Sequence, residues 1–223
     1  RSTLFPYTTL FRSTNRPIDA NFAYDAPLLP FDELPERCRN AAEKGVQWLA
    51  SMQQPDGSWA GNNHPAAATA LALTKLQTYA LEHDQDPFDA SFRYNGHITK
   101  GFDYLFNQLV TQSIDNAVHD ANRNGKRIMF NRNDNYGGYI TPLALMAITA
   151  GRGFDQIVRS SNDLNGKTYQ EIAQDIVDYF GDCQTEGGGW RYTCRYKGGA
   201  DNSVTQYAVG RSEERRVGKE CRS

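Results

Sequence analysis

The chain has 223 residues, a formal net charge of −2 and a hydrophobic fraction of 39%, which supplies enough apolar side chain for a buried core. The longest apolar run, Pro142–Ala150, is far too short to cross a bilayer. Apart from its two ends, the sequence shows no basic patch, which argues against nucleic-acid binding.

Both ends of the chain read as sequencing remnants. Leu4–Ser13 is the translation of a common sequencing adapter, and Arg211–Glu220 is the translation of its reverse complement. We therefore interpret residues 1–13 and 211–223 as adapter artefacts of an assembled metagenomic read and expect no fold from them. The competing interpretation is a pair of basic arms. The rest of the chain has 17 basic and 23 acidic residues, a net charge of −6. Because the natural start of the protein is then not known, the sequence does not indicate a cellular compartment.

Helical periodicity begins after a proline-rich stretch, residues 14–35, which is expected to be an extended lead-in. Six helices are predicted, beginning near Pro35, Pro65, Thr99, Thr141, Thr168 and Asp201. Thr168-x-x-Glu171 and Ser203-x-x-Gln206 read as capping boxes for the last two. Between the third and fourth helices, Thr111–Gly138 is long, polar and rich in Asn and Asp. It is expected to be a functional or disordered loop.

The segment Lys44–Trp59, KGVQWLASMQQPDGSW, joins the end of the first helix to a turn and a tryptophan. The same order recurs at Tyr179–Trp190, and a decayed copy begins at Lys100-Gly101, with Gly137-Gly138-Tyr139 standing for its end. Recurrence at this spacing predicts helical hairpins that stack on one another. The residues that define the two fuller copies are Lys44, Gly45, Trp48, Gln53, Gly57, Trp59, Tyr179, Gln184, Gly188 and Trp190.

This pattern resembles the QW motif of the prenyltransferase/squalene-oxidase repeat family, which includes squalene–hopene and oxidosqualene cyclases and, in looser form, protein prenyltransferase β subunits. The resemblance covers about Arg37 to Gly210. The segment GGGWRYTCRYKGGADNSVTQYAV is most similar to bacterial repeat proteins of unassigned activity. The resemblance implies an all-α fold, an α/α toroid of helical hairpins. Residues 36–210 would then be a fragment of it, an incomplete ring of about three of six hairpins.

Aromatic and polar side chains near the helix ends are the candidates for a ligand cavity. A terpenoid cyclase needs aromatic faces that stabilise carbocations. The candidate ligand or cavity residues are Tyr136, Tyr139, Tyr192, Tyr196, Asp201 and Gln206. The competing interpretation is a structural wedge between hairpins for Tyr139, and helix capping for Asp201 and Gln206.

The acid that would protonate an alkene is not visible in the sequence. Cyclases of the squalene–hopene type carry it on a D-x-D-D motif, and the nearest match, Asp84-Gln85-Asp86, is followed by Pro87. Zinc is not expected, because the four histidines are scattered and none lies at ligand spacing from a cysteine. No cofactor is predicted. The cysteines inside the predicted domain, Cys38, Cys183 and Cys194, are expected to be ordinary thiols.

Three functions remain open, and the catalytic residues remain unknown. The first is a terpenoid-cyclase-like enzyme acting on an apolar polyprenyl substrate, which rests on analogy. The second is a non-catalytic toroid repeat module that binds a ligand or a protein. The third is an α/α-toroid polysaccharide lyase or hydrolase that uses carboxylates of the long polar loop. The expected partner is an apolar small molecule, with neither nucleic acid nor a transmembrane segment.

Overall fold

The computed structural model describes residues 33–60, 63–114, 117–130, 136–194 and 198–212. In chain order its helices and strands are α1 (Glu33–Ser51), α2 (Pro65–Glu82), α3 (Asn95–Asn107), β1 (Leu109–Ser113), β2 (Lys126–Phe130), α4 (Gly137–Ala150), α5 (Tyr169–Cys183) and α6 (Asn202–Ser212). None of these described helices is both long enough and apolar enough to traverse a membrane.

By its internal contacts the chain divides into two units, residues 1–45 and 46–223. Helix α1 runs across the division, and its part in the first unit is exposed from Glu36 to Ala42. The adapter-like segment 1–13 lies outside the described residues, as does the lead-in predicted over 14–35 except for the first three residues of α1. The C-terminal adapter-like segment also lies outside them, apart from the last two residues of α6. The architecture that follows is that of the second unit.

The prediction of an all-α toroid built from helical hairpins is wrong, because the fold is mixed α/β. Strands β1 and β2 form a two-stranded antiparallel sheet in which Leu109 pairs with Phe130 and Ser113 with Lys126. This hairpin occupies much of the stretch expected to be a loop. Strand β2 is buried over residues 127–130 and packs against α5 and α4. The sheet is therefore part of the core.

Local chemistry explains why this stretch forms strands. Val110, Thr111 and Ile128 are β-branched residues, which favour the extended conformation. The turn into β2 uses Asn124 and Gly125, and Gly125 has a φ of +71°, a value that favours glycine. The apolar end of the hairpin, Leu109 paired with Phe130, is buried, whereas its tip is polar and exposed.

Helices α2, α4 and α6 form a row, with α4 in contact with both neighbours. Helix α3 packs against α2, and α5 packs against α4. Eleven of the fourteen residues of α4 are buried, which fits a helix that is apolar on all sides. The largest fully buried side chains lie between these layers and include Leu73, Leu76, Phe102, Phe106, Leu105, Ile140, Ile148 and Tyr179.

The connector between α1 and α2 is a compact structure that we call the first Gln–Trp clasp, residues 53–59. Gln53 pairs with Trp59 through a β-bridge, and Gly57 makes the turn with a φ of +89°. The indole Nε1–H of Trp59 donates to the carbonyl oxygen of Leu49 at 2.7 Å. The backbone N–H of Trp59 donates to Oγ1 of Thr69 at 3.0 Å. The clasp therefore ties α1 to α2 through one residue, Trp59.

The first clasp also fastens α3. The Gln53 amide donates to the carbonyl oxygen of His97 at 2.9 Å, and its Oε1 lies 2.6 Å from Nδ1 of His97. A Cβ placed on Gly101 would lie 3.0 Å from the Trp59 ring, and a Cβ on Gly57 only 2.2 Å from the carbonyl oxygen of Lys100. Only glycines permit this approach of the clasp to α3.

The connector between α5 and α6 repeats the same hydrogen bonds. Gln184 donates to the carbonyl oxygen of Gly188 at 2.8 Å, and Gly188 has a φ of +84°. Nε1–H of Trp190 donates to the carbonyl oxygen of Phe180 at 2.8 Å, and its backbone N–H donates to Oγ1 of Thr205 at 3.0 Å. This second Gln–Trp clasp, residues 184–190, thus joins α5 to α6 in the way that the first joins α1 to α2.

The β-hairpin replaces the clasp in the middle of the chain. Leu109, eight residues after Gly101, stands where Gln53 stands after Gly45, and its strand partner is Phe130. The backbone N–H of Phe130 donates to Oγ1 of Thr141 at 3.0 Å, as Trp59 does to Thr69. Phe130 therefore takes the tryptophan position, and the prediction that Gly137-Gly138-Tyr139 ends the middle copy is wrong. Those three residues begin α4.

The histidine in the first clasp makes stability depend on pH. Nδ1 of His97 must carry hydrogen to donate to Gln53 Oε1. Burial, with the charge of Lys100, lowers the pKa of His97 below its ordinary value of 6.5. The unfolded chain then binds the proton more readily, so we expect the His97 contribution to be complete above pH 6.5 and to decline as pH falls towards the lowered pKa.

Urea unfolding measured between about pH 5 and 8 checks this expectation. The difference in unfolding free energy between the wild type and His97→Asn should shrink as the pH falls below 6.5. A control variant, His83→Asn, changes an exposed histidine and should leave the wild-type profile in place. A constant difference between wild type and His97→Asn across the range would contradict the assignment.

Two of the cysteines expected to be free thiols form a disulfide. Cys183, at the end of α5, is bonded to Cys194, which follows the second clasp. The bond closes a loop around Gln184 and Trp190. A separation of 11 residues matches no disulfide framework that can be recognised from sequence. The clasp folds the chain back on itself between the two cysteines, and their spacing alone does not show this. Cys38 is free and exposed.

Candidate functional site

Four tyrosines form a continuous aromatic surface, which we call the tyrosine face: Tyr136, Tyr139, Tyr192 and Tyr207. The ring centroid of Tyr192 lies 6.2 Å from that of Tyr136 and 5.2 Å from that of Tyr139. Tyr139 and Tyr207 are 5.4 Å apart. All three pairs are edge-to-face, a favourable aromatic geometry. Tyr136, Tyr192 and Tyr207 are 45%, 38% and 41% exposed, so the rings also face solvent.

The three helices of the central row bring this surface together. His64 precedes α2, and its ring lies 4.5 Å from that of Tyr136, which immediately precedes α4. The segment after the second clasp is held against α4, because the N–H of Gly138 donates to the carbonyl oxygen of Tyr192 at 2.7 Å. A Cβ on Gly138 would lie 2.2 Å from the Arg191 carbonyl oxygen, so glycine is required there.

Asp201 stands at the edge of the tyrosine face and caps α6. Its Oδ1 accepts hydrogen bonds from the backbone N–H groups of Ser203 and Val204 at 2.9 and 3.1 Å. Asp201 is therefore the N-cap of α6, two residues before Ser203, where the sequence predicted a capping box with Gln206. Hydrogen bonds from Ser203 lower the pKa of Asp201, which keeps the carboxylate ionised at neutral pH. The Ser203 hydroxyl also contacts the Tyr139 hydroxyl.

The remaining candidates divide by position. Gln206 is exposed on α6. Tyr196 lies outside the described residues. A hydrogen bond with Tyr139 and the charge of Asp201 raise the pKa of Tyr192, so its hydroxyl stays protonated at neutral pH. Tyr207 and His64 were missed as partners of this surface, since neither belongs to the repeated motif, and only the packing of α2, α4 and α6 brings them close.

No family model, curated protein or solved structure matches the chain. What the tyrosine face can do therefore rests on its own chemistry. Tyrosine rings offer apolar area with little loss of side-chain freedom, and their hydroxyls offer hydrogen bonds. Across the described part of the chain, no group of three or more His, Cys, Asp or Glu side chains is placed to hold a metal ion.

The acidic stretch that most nearly matched D-x-D-D is not part of the tyrosine face. Asp84, Gln85 and Asp86 are exposed and line a polar cleft of about 550 Å³ beside Gly151–Gly153. Oδ1 of Asp86 accepts from the backbone N–H of Phe88 at 2.8 Å, as in an ordinary turn. A carboxylic acid that protonates an alkene has to be kept neutral by burial. These exposed carboxylates lack that environment.

Helix α5 carries three buried carboxylates that the sequence interpretation missed: Asp175, Asp178 and Asp182, which are 0%, 2% and 1% exposed. Asp182 forms an ion pair with Arg127 of β2. Asp175 lies 3.7 Å from the Lys167 ammonium group. Burial raises the pKa of Asp178, although hydrogen bonds from Gln174 and Ala121 oppose that shift. The sequence feature that could have identified them is their spacing of three and four residues, which places all three carboxylates on one side of the helix.

Proposed function

We propose that the chain is a non-catalytic repeat module, related to the prenyltransferase/squalene-oxidase repeat proteins, that binds an apolar small molecule on the tyrosine face. The observation that carries the proposal is the meeting of four tyrosine rings, three of them 38–45% exposed, from three separate segments of the chain. An exposed apolar cluster of this kind with polar groups at its edge is typical of a ligand-binding surface.

The carboxylate beside the tyrosine face favours binding over catalysis. Alkene protonation requires a neutral carboxylic acid that donates its proton. Asp201 is the carboxylate at this surface, and its lowered pKa keeps it ionised. The resemblance of the two Gln–Trp clasps to the QW motif supports the relation to the repeat family, whose fold does not by itself specify an activity.

Calorimetric titration with farnesol, an isoprenoid alcohol that is more soluble than squalene, tests the binding proposal. The wild type is expected to give saturable heat, and Tyr136→Ala/Tyr192→Ala is expected to weaken the affinity at least tenfold, on the order of the loss of two aromatic contacts. Leu71→Ala is the matched control, because it removes an exposed apolar side chain, 48% accessible, from the surface of α2. Equal affinity in the wild type and the double variant would refute the assignment of the surface.

Incubation of the same protein with squalene tests the absence of catalysis. The extracted lipid is analysed by gas chromatography and mass spectrometry, and only unchanged squalene is expected. A cyclic product would overturn the proposal in favour of a terpenoid-cyclase-like enzyme, whose acid would then have to be sought outside the tyrosine face.

A further inference from the structure

The tip of the β-hairpin has the residue order of a calcium-binding loop. Asp120, Asn122 and Asn124 occupy alternate positions, and Gly125 follows directly. This D-x-N-x-N-G order corresponds to positions 1, 3, 5 and 6 of the twelve-residue loop in which alternate oxygen-bearing side chains face one cation and a glycine makes the sharp turn. The twelfth position, where such a loop has a bidentate glutamate, is Asn131.

The backbone of the tip follows the same course. The carboxylate of Asp120 accepts from the N–H groups of Asn124 and Gly125 at 3.1 and 2.8 Å. Oδ1 of Asn124 accepts from the N–H of Lys126 at 2.7 Å. Arg123 and Gly125 both have positive φ values, +59° and +71°. The chain therefore wraps around the polar side chains at alternate positions.

Helix α5 supplies carboxylates to this loop. Oδ1 of Asp175 accepts from the side-chain amides of Asn122 and Asn124 at 2.7 and 2.8 Å. The Asp178 carboxylate lies beside Ala121, near enough to Asp120 and Asp175 for their charges to act on it. Two acidic side chains of α5 are thus buried against the alternate-residue loop.

One oxygen of each buried carboxylate still lacks a hydrogen-bond donor. Oδ2 of Asp178 and Oδ2 of Asp175 make no hydrogen bond with the described residues, and both side chains are at most 2% exposed. The Lys167 ammonium group, 3.7 Å from Oδ2 of Asp175, is a distant counter-charge. Buried anionic oxygens without partners are costly. A bound cation would remove that cost for both.

We propose that the loop from Asp120 to Lys126, together with Asp175 and Asp178, binds Ca²⁺, with the two carboxylates of α5 in place of the absent glutamate. The donors are carboxylate, amide and peptide oxygens, the set that Ca²⁺ prefers, and no thiolate is among them. The three aspartates alone are not placed to hold a metal ion, so the site needs the amide oxygens of Asn122 and Asn124 to complete it.

Two features of the site set its expected affinity. The amides of Asn122 and Asn124 point their Nδ2 groups at Asp175, so ion binding requires each amide to turn about its last torsion and present Oδ1 instead. Lys167 competes with the ion for Asp175. Both lower the affinity towards the range of extracellular modules, with Kd of about 10⁻⁴–10⁻³ M. The Cys183–Cys194 disulfide agrees with an oxidising compartment of that kind.

The test is calorimetric titration of the chelator-treated full chain with CaCl₂ up to about 10 mM, ten times the weakest Kd in that range, with MgCl₂ in parallel. We expect saturable Ca²⁺ binding, at least tenfold weaker Mg²⁺ binding, and a rise in Tm with Ca²⁺ that EDTA reverses. Asp178→Asn and Asp120→Asn should each weaken Ca²⁺ binding at least tenfold. Asp163→Asn, an exposed aspartate in another loop, should bind as the wild type does.

A variant with the opposite sign separates ion binding from misfolding. Lys167→Gln removes the competing ammonium group and should strengthen Ca²⁺ binding about threefold or more, which a folding defect would not do. No saturable heat with wild-type protein would overturn the proposal. So would Asp178→Asn or Asp120→Asn with wild-type affinity, or Lys167→Gln with weaker Ca²⁺ binding than the wild type.

Discussion

Trp59→Ala is expected to lower the free energy of unfolding by about 3–5 kcal/mol, the usual cost of removing a large buried aromatic side chain. The indole is 3% exposed and packs against Gly101 of α3. Its Nε1–H donates to the Leu49 carbonyl oxygen at 2.7 Å. Alanine would leave a cavity and remove the indole hydrogen bond. Urea unfolding followed by circular dichroism measures the change.

Two other tryptophans provide controls for this experiment. Trp48 is 62% exposed, so Trp48→Ala is expected to change stability by less than about 1 kcal/mol. Trp190 makes the same indole hydrogen bond as Trp59 but is only partly buried, so Trp190→Ala is expected to fall between them. Equal losses in Trp48→Ala and Trp59→Ala would show that the first Gln–Trp clasp does not fasten the helices.

Local signals in the sequence predicted the starts of α2, α5 and α6 closely, whereas α3 and α4 begin four residues before the predicted Thr99 and Thr141. The capping box at Thr168 and Glu171 forms as expected, with both reciprocal hydrogen bonds present. Pro65 opens α2, because the missing N–H of proline is no loss in the first turn of a helix. These features depend on residues a few positions apart, and the sequence displays such neighbours directly.

The β-hairpin was not predictable by the same means. Its strands are five residues each and flank a polar tip, so neither shows a long alternating pattern. Apolar residues at its open end, away from the tip, are buried because β2 packs against α5, which lies about fifty positions further along the chain. The long, polar Asn- and Asp-rich stretch therefore looked like a loop, although its outer parts are strands.

The residues of the candidate site were also only partly predictable from the sequence. Proximity to helix ends selected Tyr136, Tyr139 and Tyr192, which the structure places together, and Asp201, which caps the neighbouring helix. The buried carboxylates of α5 escaped notice because acidic residues at helical spacing usually lie on a solvated face. Only the three-dimensional arrangement shows that the hairpin covers that face.

Removal of one partner of the buried ion pair between Arg127 and Asp182 gives the second large expected effect. Asp182→Ala should lower the free energy of unfolding by about 3–5 kcal/mol, because a buried guanidinium group loses its counter-charge. Arg127 is 7% exposed and Asp182 is 1% exposed, so water cannot easily replace the lost partner. Urea unfolding near neutral pH measures the loss.

A double variant decides whether the charge or the packing causes this loss. Arg127→Met/Asp182→Leu removes both charges and keeps apolar volume between β2 and α5, so it is expected to be more stable than Asp182→Ala by about 2 kcal/mol or more. The loss in this double variant is compared with the summed losses of Arg127→Met and Asp182→Leu, and the difference gives the coupling energy of the pair. Additive losses would mean that the pair contributes through packing, and the sheet would then be held on α5 by its apolar residues alone.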